Sequence, residues 1–272
     1  MKYLVTGGGG FVGSNIVDFL LEHGHQVVAI GNCKDIKADI SNFEDIEKYF
    51  EGIDVVFHTA ALAGTVLGIE DPFLCYKTNV LGSVAVLEAS RRHRVKRVVL
   101  SSSIVVYGAE TPYKYSKLAM EDIASVYNSL YKVSNTCLRY ANIYGKGQNE
   151  NRKNPNMFAA FKKSFKENGR IQITGDGEQL RDMIHVSDIV GANIAAVDSA
   201  YTGILDICTG RRISLNYIVK ELLKVPIVYS DSRPGDVKET VQNPNDALEK
   251  IGWKAKVTIE EGIKELLPEF HS

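Results

Sequence analysis

Three features of the sequence predict an α/β protein, a doubly wound parallel sheet followed by a smaller C-terminal lobe. Short β-branched runs alternate with helix-spaced segments through the first half of the chain. A cluster of four glycines falls between the first strand and the first helix. After about residue 142 the rhythm changes, and Gly, Asn and Lys dominate 145–155.

Each element has its own signal. Residues 2–6 form a short apolar run ending in glycines, a buried strand. Residues 11–23 carry Val12, Ile16, Phe19 and Leu20 at helical spacing, and Gly24 closes the helix. A second strand covers 26–30. A helix over 41–50 opens with Ser41, and Glu44 lies three residues on, at capping-box spacing. Strands are expected at 54–58, 95–101 and 134–139, with helices at 72–93 and 112–130. Beyond residue 142, short strands (171–174, 204–207, 227–229) mix with helices (157–168, 188–199, 216–223, 259–267). No repeat or long linker separates independent units. Residues 1–142, joined by roughly 181–212, are expected to form the dinucleotide-binding domain. Roughly 143–180 and 213–272 would form the substrate lobe.

Composition narrows the class. With 272 residues, 44% hydrophobic and 24% charged, the chain reads as globular. There is no apolar run long enough to span a membrane, and the N-terminus lacks a signal-peptide layout. The 32 basic residues balance 33 acidic ones, which leaves no field to draw in nucleic acid or anionic lipid. Cys33, Cys75, Cys137 and Cys208 lie far apart, so neither a disulfide framework nor a metal site is expected. A cytoplasmic enzyme fits.

The glycines at 7–10 and 13 fit both G-x-G-x-x-G and G-x-x-G-x-x-G registers. They allow a tight turn and bring backbone N–H groups against a pyrophosphate, which makes the fold Rossmann-type. The usual acidic partner of the ribose is missing, because the second strand ends in Gly31-Asn32-Cys33-Lys34 and Asp35 comes late. These residues leave NAD and NADP both open, because Lys34 could approach a 2′-phosphate. Tyr113 and Lys117 lie four apart on one helical face, just after Ser101-Ser102-Ser103 at a strand end. Parallel sheets place their ligands at such ends. His58 reads as structural.

These motifs have companions in order along nearly the whole chain: Asp39-Ile40, H-T-A-A at 58–61, N-V-x-G at 79–82, S-S-S-x-x-V-Y-G at 101–108 and Y-x-x-S-K at 113–117. Further on come L-R-Y-x-N-I-Y-G at 138–145, G-D-G-E-Q-x-R-D at 175–182 and R-P-G-D at 233–236. The sequence resembles the extended short-chain dehydrogenase/reductase superfamily, in its nucleotide-sugar epimerase/dehydratase branch. The resemblance implies that Tyr113 is the acid/base, that Lys117 lowers its pKa and holds the nicotinamide ribose, and that Ser103 binds the reacting hydroxyl. It implies Gly7, Gly10, Phe11, Val12 and Gly13 at the pyrophosphate, and Asn32, Asp39 and Ile40 on the adenosine side. Ala60, Ala61, Ala63 and Asn79 would flank the ribose and nicotinamide. Asn142, Arg181, Arg233 and Asp236 would hold a nucleotide-diphosphate sugar. A homodimer through the helices near 72–93 and 112–130 is also implied.

Two departures sharpen the reading. Dehydratases and decarboxylases of this branch carry acids right after the position of Ser103, where this chain has Ile104 and Val105. Of what the resemblance implies, NAD-dependent epimerisation, with C4 favoured, is the first reading. An NADP-dependent reductase of a 4-keto nucleotide sugar, or a non-catalytic dinucleotide sensor, are the alternatives. The loop 109–112 is also short and spans at most about 14 Å. It leaves the glycosyl side open unless 146–156 covers it. The seven basic residues between Lys146 and Arg170 read mostly as a solvated helix face.

Overall fold

The computed structural model describes residues 1–31, 36–153, 155–231 and 239–271. Five strands of the first half are β1 (Lys2–Thr6), β2 (Gln26–Ile30), β3 (Val55–His58), β4 (Arg97–Ser103) and β5 (Asn135–Tyr140). With Gly203–Ile207 they form one six-stranded sheet, in which β2 and β3 flank β1, β4 and β5 follow, and Gly203–Ile207 lies at the edge beside β5. Every pairing in it is parallel. All six carboxyl ends therefore share one edge. The chain reverses direction of winding between β1 and β3, which opens a crevice there.

Alternation along the strands builds a core on each face. Tyr3, Val5, Val55, Phe57 and Val99 pack with Ile16 and Leu20 of the first helix and with Ile189 and Ala192 of the returning helix Val186–Asp198. Leu4, Val56, Val98 and Leu100 point the other way, onto Val86, Met120 and Ala124. Burial on both faces explains why these strands read as continuous apolar runs. A third core, around Tyr144, Phe158, Phe161, Ile173 and Ile218, belongs to the C-terminal lobe.

Several expectations need correction. Asn42, not Ser41, caps the helix Phe43–Ile46, because the Ser41 hydroxyl donates to Asp39 at 2.6 Å. That helix then tightens into a 3₁₀ turn, Glu47–Phe50. The true capping box lies at Thr258 and Glu261. The 72–93 helix is divided into Pro72–Tyr76, a π turn over Lys77–Leu81, and Gly82–Arg92. The segment 216–223 is likewise π-wound, over Tyr217–Leu223. Elements of two or three residues carried no periodic signal, and Asn142–Tyr144, Met183–His185 and Leu180–Arg181 are among them. The helices Thr65–Glu70 and Asn245–Ile251 were also unforeseen. Among the described residues, no helix is long and apolar enough to cross a membrane.

Candidate active site

The glycine turn leaves β1 at the crevice. Gly7 adopts φ +70°, and a Cβ there would lie 2.8 Å from the Ala60 backbone. A Cβ on Gly13 would meet the Gly7 carbonyl oxygen at 2.2 Å, so the helix Phe11–Glu22 starts hard against the turn. Gly10 caps this helix without a side-chain hydrogen bond. The N–H groups of its first turn, at Phe11, Val12 and Gly13, thus face outward for an anionic acceptor. This cradle fits a dinucleotide pyrophosphate.

At the end of β3, Ala60 and Ala61 run past the turn, and the Ala60 N–H bonds the Thr6 hydroxyl at 3.2 Å. Ala63 lies exposed beyond them. Asn79 lies behind this loop, 1% exposed on the π turn. Its Oδ1 accepts the Leu62 N–H at 2.8 Å, and its Nδ2 donates to Ser116 Oγ at 2.9 Å and to the Leu62 carbonyl at 3.2 Å. Its amide is engaged with the protein itself, so Asn79 shapes the loop from behind. Asp39 is bound to Ser41 and ion-paired with Lys77 at 3.1 Å, which together hold its carboxyl below the usual range. Ile40 is buried, with its side chain against Gly82. Asn32 lies outside the described residues, as do Lys34 and Asp35.

Ser103 ends β4, and the helix Pro112–Tyr131 returns beside it, capped by Thr111 with Pro112 in its first turn. The Ser103 hydroxyl lies close enough to Tyr113 to ease its ionisation. Lys117, one turn on, is 4% exposed; its Nζ lies 5.9 Å from the Tyr113 ring centre and donates to the Ser101 carbonyl at 2.7 Å. Burial pushes Tyr113 up to about 12 and pulls Lys117 down to about 8. The resemblance implies a tyrosine pKa lowered by Lys117 together with the oxidised cofactor; the protein groups alone raise it, because desolvation outweighs the help from Ser103 and Arg152. His58 bridges Thr6 Oγ1 (2.8 Å) and Ser83 Oγ (3.0 Å), and burial holds it neutral, its pKa lowered to about 3.

This arrangement has close counterparts. The model of the NAD dependent epimerase/dehydratase family matches residues 3–207. This chain belongs to that family. NAD is its cofactor. A curated relative from Methanocaldococcus jannaschii, described as a putative UDP-glucose 4-epimerase, is 32% identical over 298 positions, covering 97% of this chain and 96% of its own. That alignment is longer than the 272 residues here, so the relative carries stretches this chain lacks. A UDP-glucose 4-epimerase from Thermotoga maritima, solved with UDP-glucose, superposes with a TM-score of 0.92 at 32% identity, covering 100% of this chain and 99% of that one. The UDP-glucose 4-epimerase of Thermus thermophilus, solved with NAD, gives a TM-score of 0.87 at 30% identity, covering 100% and 99%.

Asn142 pairs with Met183 where Asn142–Tyr144 runs beside Met183–His185, two residues after Arg181. The Asn142 N–H and Nδ2 both donate to the Asp182 carbonyl, at 3.0 and 3.1 Å. The buried Asp182 carboxylate accepts from Thr209 and Gly210, which fixes the strand carrying Arg181. Arg233 and Asp236 lie outside the described residues. The lysines after residue 146 are taken up by carboxylates: Lys162 contacts Glu269 at 2.6 Å and Glu150 at 3.4 Å, and Lys166 contacts Glu150 at 2.8 Å. Lys153 pairs with Glu70 at 2.8 Å. Glu70 ends the helix Thr65–Glu70, whose Gly68 packs on Tyr113. The segment before residue 154 is thus tied to the helix that packs on Tyr113.

Proposed function

We propose that this protein inverts C4 of a nucleotide-diphosphate sugar, a UDP-sugar in the first instance, through a transient 4-keto intermediate. The observation that carries this reading is the meeting of Ser103, Tyr113 and Lys117 beside the glycine turn, at one edge of the sheet. Bound NAD supplies a reversible hydride acceptor and the positive charge of its oxidised ring. Tyr113 Oη takes the proton of the sugar hydroxyl as the carbonyl forms and returns it after the sugar has turned over. Ser103 holds that oxygen, and the Lys117 ammonium favours the phenolate. Ile104 and Val105 offer no acid or base for dehydration.

In this reading residues 1–142 with 181–212 carry NAD, and 143–180 with 213–272 carry the sugar nucleotide, with Arg233 and Asp236 among its ligands. The Lys153–Glu70 link supports a covered glycosyl side in place of the open one that the short 109–112 loop implies. The protein works in the cytoplasm as a homodimer: Phe73, Leu74 and Leu81 are exposed on one helical stretch, and Leu130 and Tyr131 on the other. Light scattering should then read twice the 30.0 kDa chain mass, and a monomer mass would rule the dimer out.

Proton NMR of the protein with NAD and UDP-glucose, UDP-N-acetylglucosamine or UDP-glucuronate tests the activity. At least one should convert to its C4 epimer without net change in NADH. No conversion, with NADPH consumed instead on a 4-keto nucleotide sugar, would establish the reductase.

A further inference from the structure

Directly behind Lys117 lies a buried ion pair that the proton transfer does not use. Glu121, one turn further along the same helix, is 2% exposed. It accepts the Ser102 hydroxyl at 2.5 Å and the Arg139 guanidinium at 2.8 and 2.6 Å. Arg139 reaches on to the Tyr107 hydroxyl at 2.6 Å, and Tyr107 donates to Asp206 at 3.0 Å. A carboxylate this deep is costly to desolvate, and well-packed apolar side chains join segments as well or better. What the charge does, and an apolar group would not, is act on Lys117.

The groups facing Lys117 leave few other sources of negative charge. Its hydrogen bond goes to a neutral carbonyl, that of Ser101. Tyr113 on its own helix is protonated at neutral pH, and His58 from β3 is neutral. Burial pushes up the thiols of Cys137 on β5 and Cys75 on Pro72–Tyr76, so both stay uncharged. Of the groups acting on the ammonium, Glu121 is then the one carboxylate, and the Arg139 guanidinium it binds offsets part of its charge.

We propose that Glu121 is a positioning residue: its carboxylate keeps Lys117 an ammonium ion and, through Ser102, fixes the strand end that carries Ser103. The role in catalysis rests on the epimerase reading above. Lysine ¹³Cε NMR of the full-length labelled protein tests it, with Lys117→Met identifying the resonance. Glu121→Gln retains the amide oxygen that accepts from Ser102 and removes the charge. The Lys117 midpoint should fall by about one pH unit or more. In NAD-loaded enzyme the alkaline limb of kcat should move down with it, while KM stays nearly constant. Should Glu121→Gln fail to fold because Arg139 is left unpaired, Arg139→Met leaves the Glu121 carboxylate without its neutralising cation, and the Lys117 midpoint should rise instead. A midpoint that stays where it is in the unaltered protein, in whichever variant folds, overturns the proposal. The midpoint is read without turnover, so a protein that epimerises nothing would defeat the functional reading and leave the Glu121 result standing.

Discussion

The protein makes the Tyr113 hydroxyl hard to ionise, at about 12. The proton-transfer role proposed for it then requires charge delivered at the moment of reaction by Lys117 and the oxidised cofactor. Tyr113→Phe should lower kcat about a thousandfold and leave the NAD dissociation constant within about twofold, as read by calorimetry. A variant that keeps most of its turnover would remove the hydroxyl from the chemistry. His58 carries a second consequence at this scale. Its folded pKa is depressed, from 6.5 to about 3, so its contribution is fully present above the unfolded value and is lost as pH falls. Between pH 6.5 and about pH 5, that single group should cost the fold about 2 kcal/mol. Urea unfolding at the two pH values should show the loss, and His58→Gln should reduce it by about that amount.

The π turn Lys77–Leu81 gives the long helical stretch its function. A regular helix would carry Asn79 past the loop at 59–64; the extra residue in the turn aims its amide at Leu62 and Ser116. One side chain thereby joins the loop after β3 to the helix that carries Tyr113 and Lys117. Asn79→Ala would leave the Leu62 N–H without its partner, costing about 1–3 kcal/mol of stability. It should also weaken NAD binding about tenfold, near 1.4 kcal/mol, although Asn79 is occupied by the protein. Unchanged affinity in calorimetry would show that the loop holds its shape unaided. The short connection before Tyr113 is stabilised in a comparable way, since Lys114 Nζ donates to the Gly108 carbonyl at 3.0 Å and pairs with Glu110 at 3.1 Å.

Across the whole molecule, Arg97 joins the start of β4 to the returning helix Val186–Asp198 and the chain that follows it. It is 5% exposed and donates to the Ala196 carbonyl (2.8 Å), Thr136 Oγ1 (2.7 Å), Ser134 Oγ (2.8 Å) and the Tyr201 carbonyl. Dipoles rather than a carboxylate hold this cation. Arg97→Met should destabilise the protein by about 2–4 kcal/mol through the unpaired carbonyls it leaves. The urea midpoint should fall with an unchanged slope. A midpoint within experimental scatter of the parent would mean that water takes over these bonds.

The sequence by itself determined the wound sheet, because buried parallel strands and helical stripes leave period and glycine signals within ten to twenty residues. It also placed Ser103, Tyr113 and Lys117 on adjacent elements, since their spacing is local. Pairings between distant segments were beyond it. Nothing near Glu121 in the chain points to Arg139 or Ser102, and nothing near Lys153 points to Glu70. The π turn was equally hidden, because Asn79 follows helical spacing until packing against Leu62 selects the wider winding. The direction of the Tyr113 pKa belongs with these. Charge can be read from residue names, but desolvation depends on how completely the folded chain closes around a group.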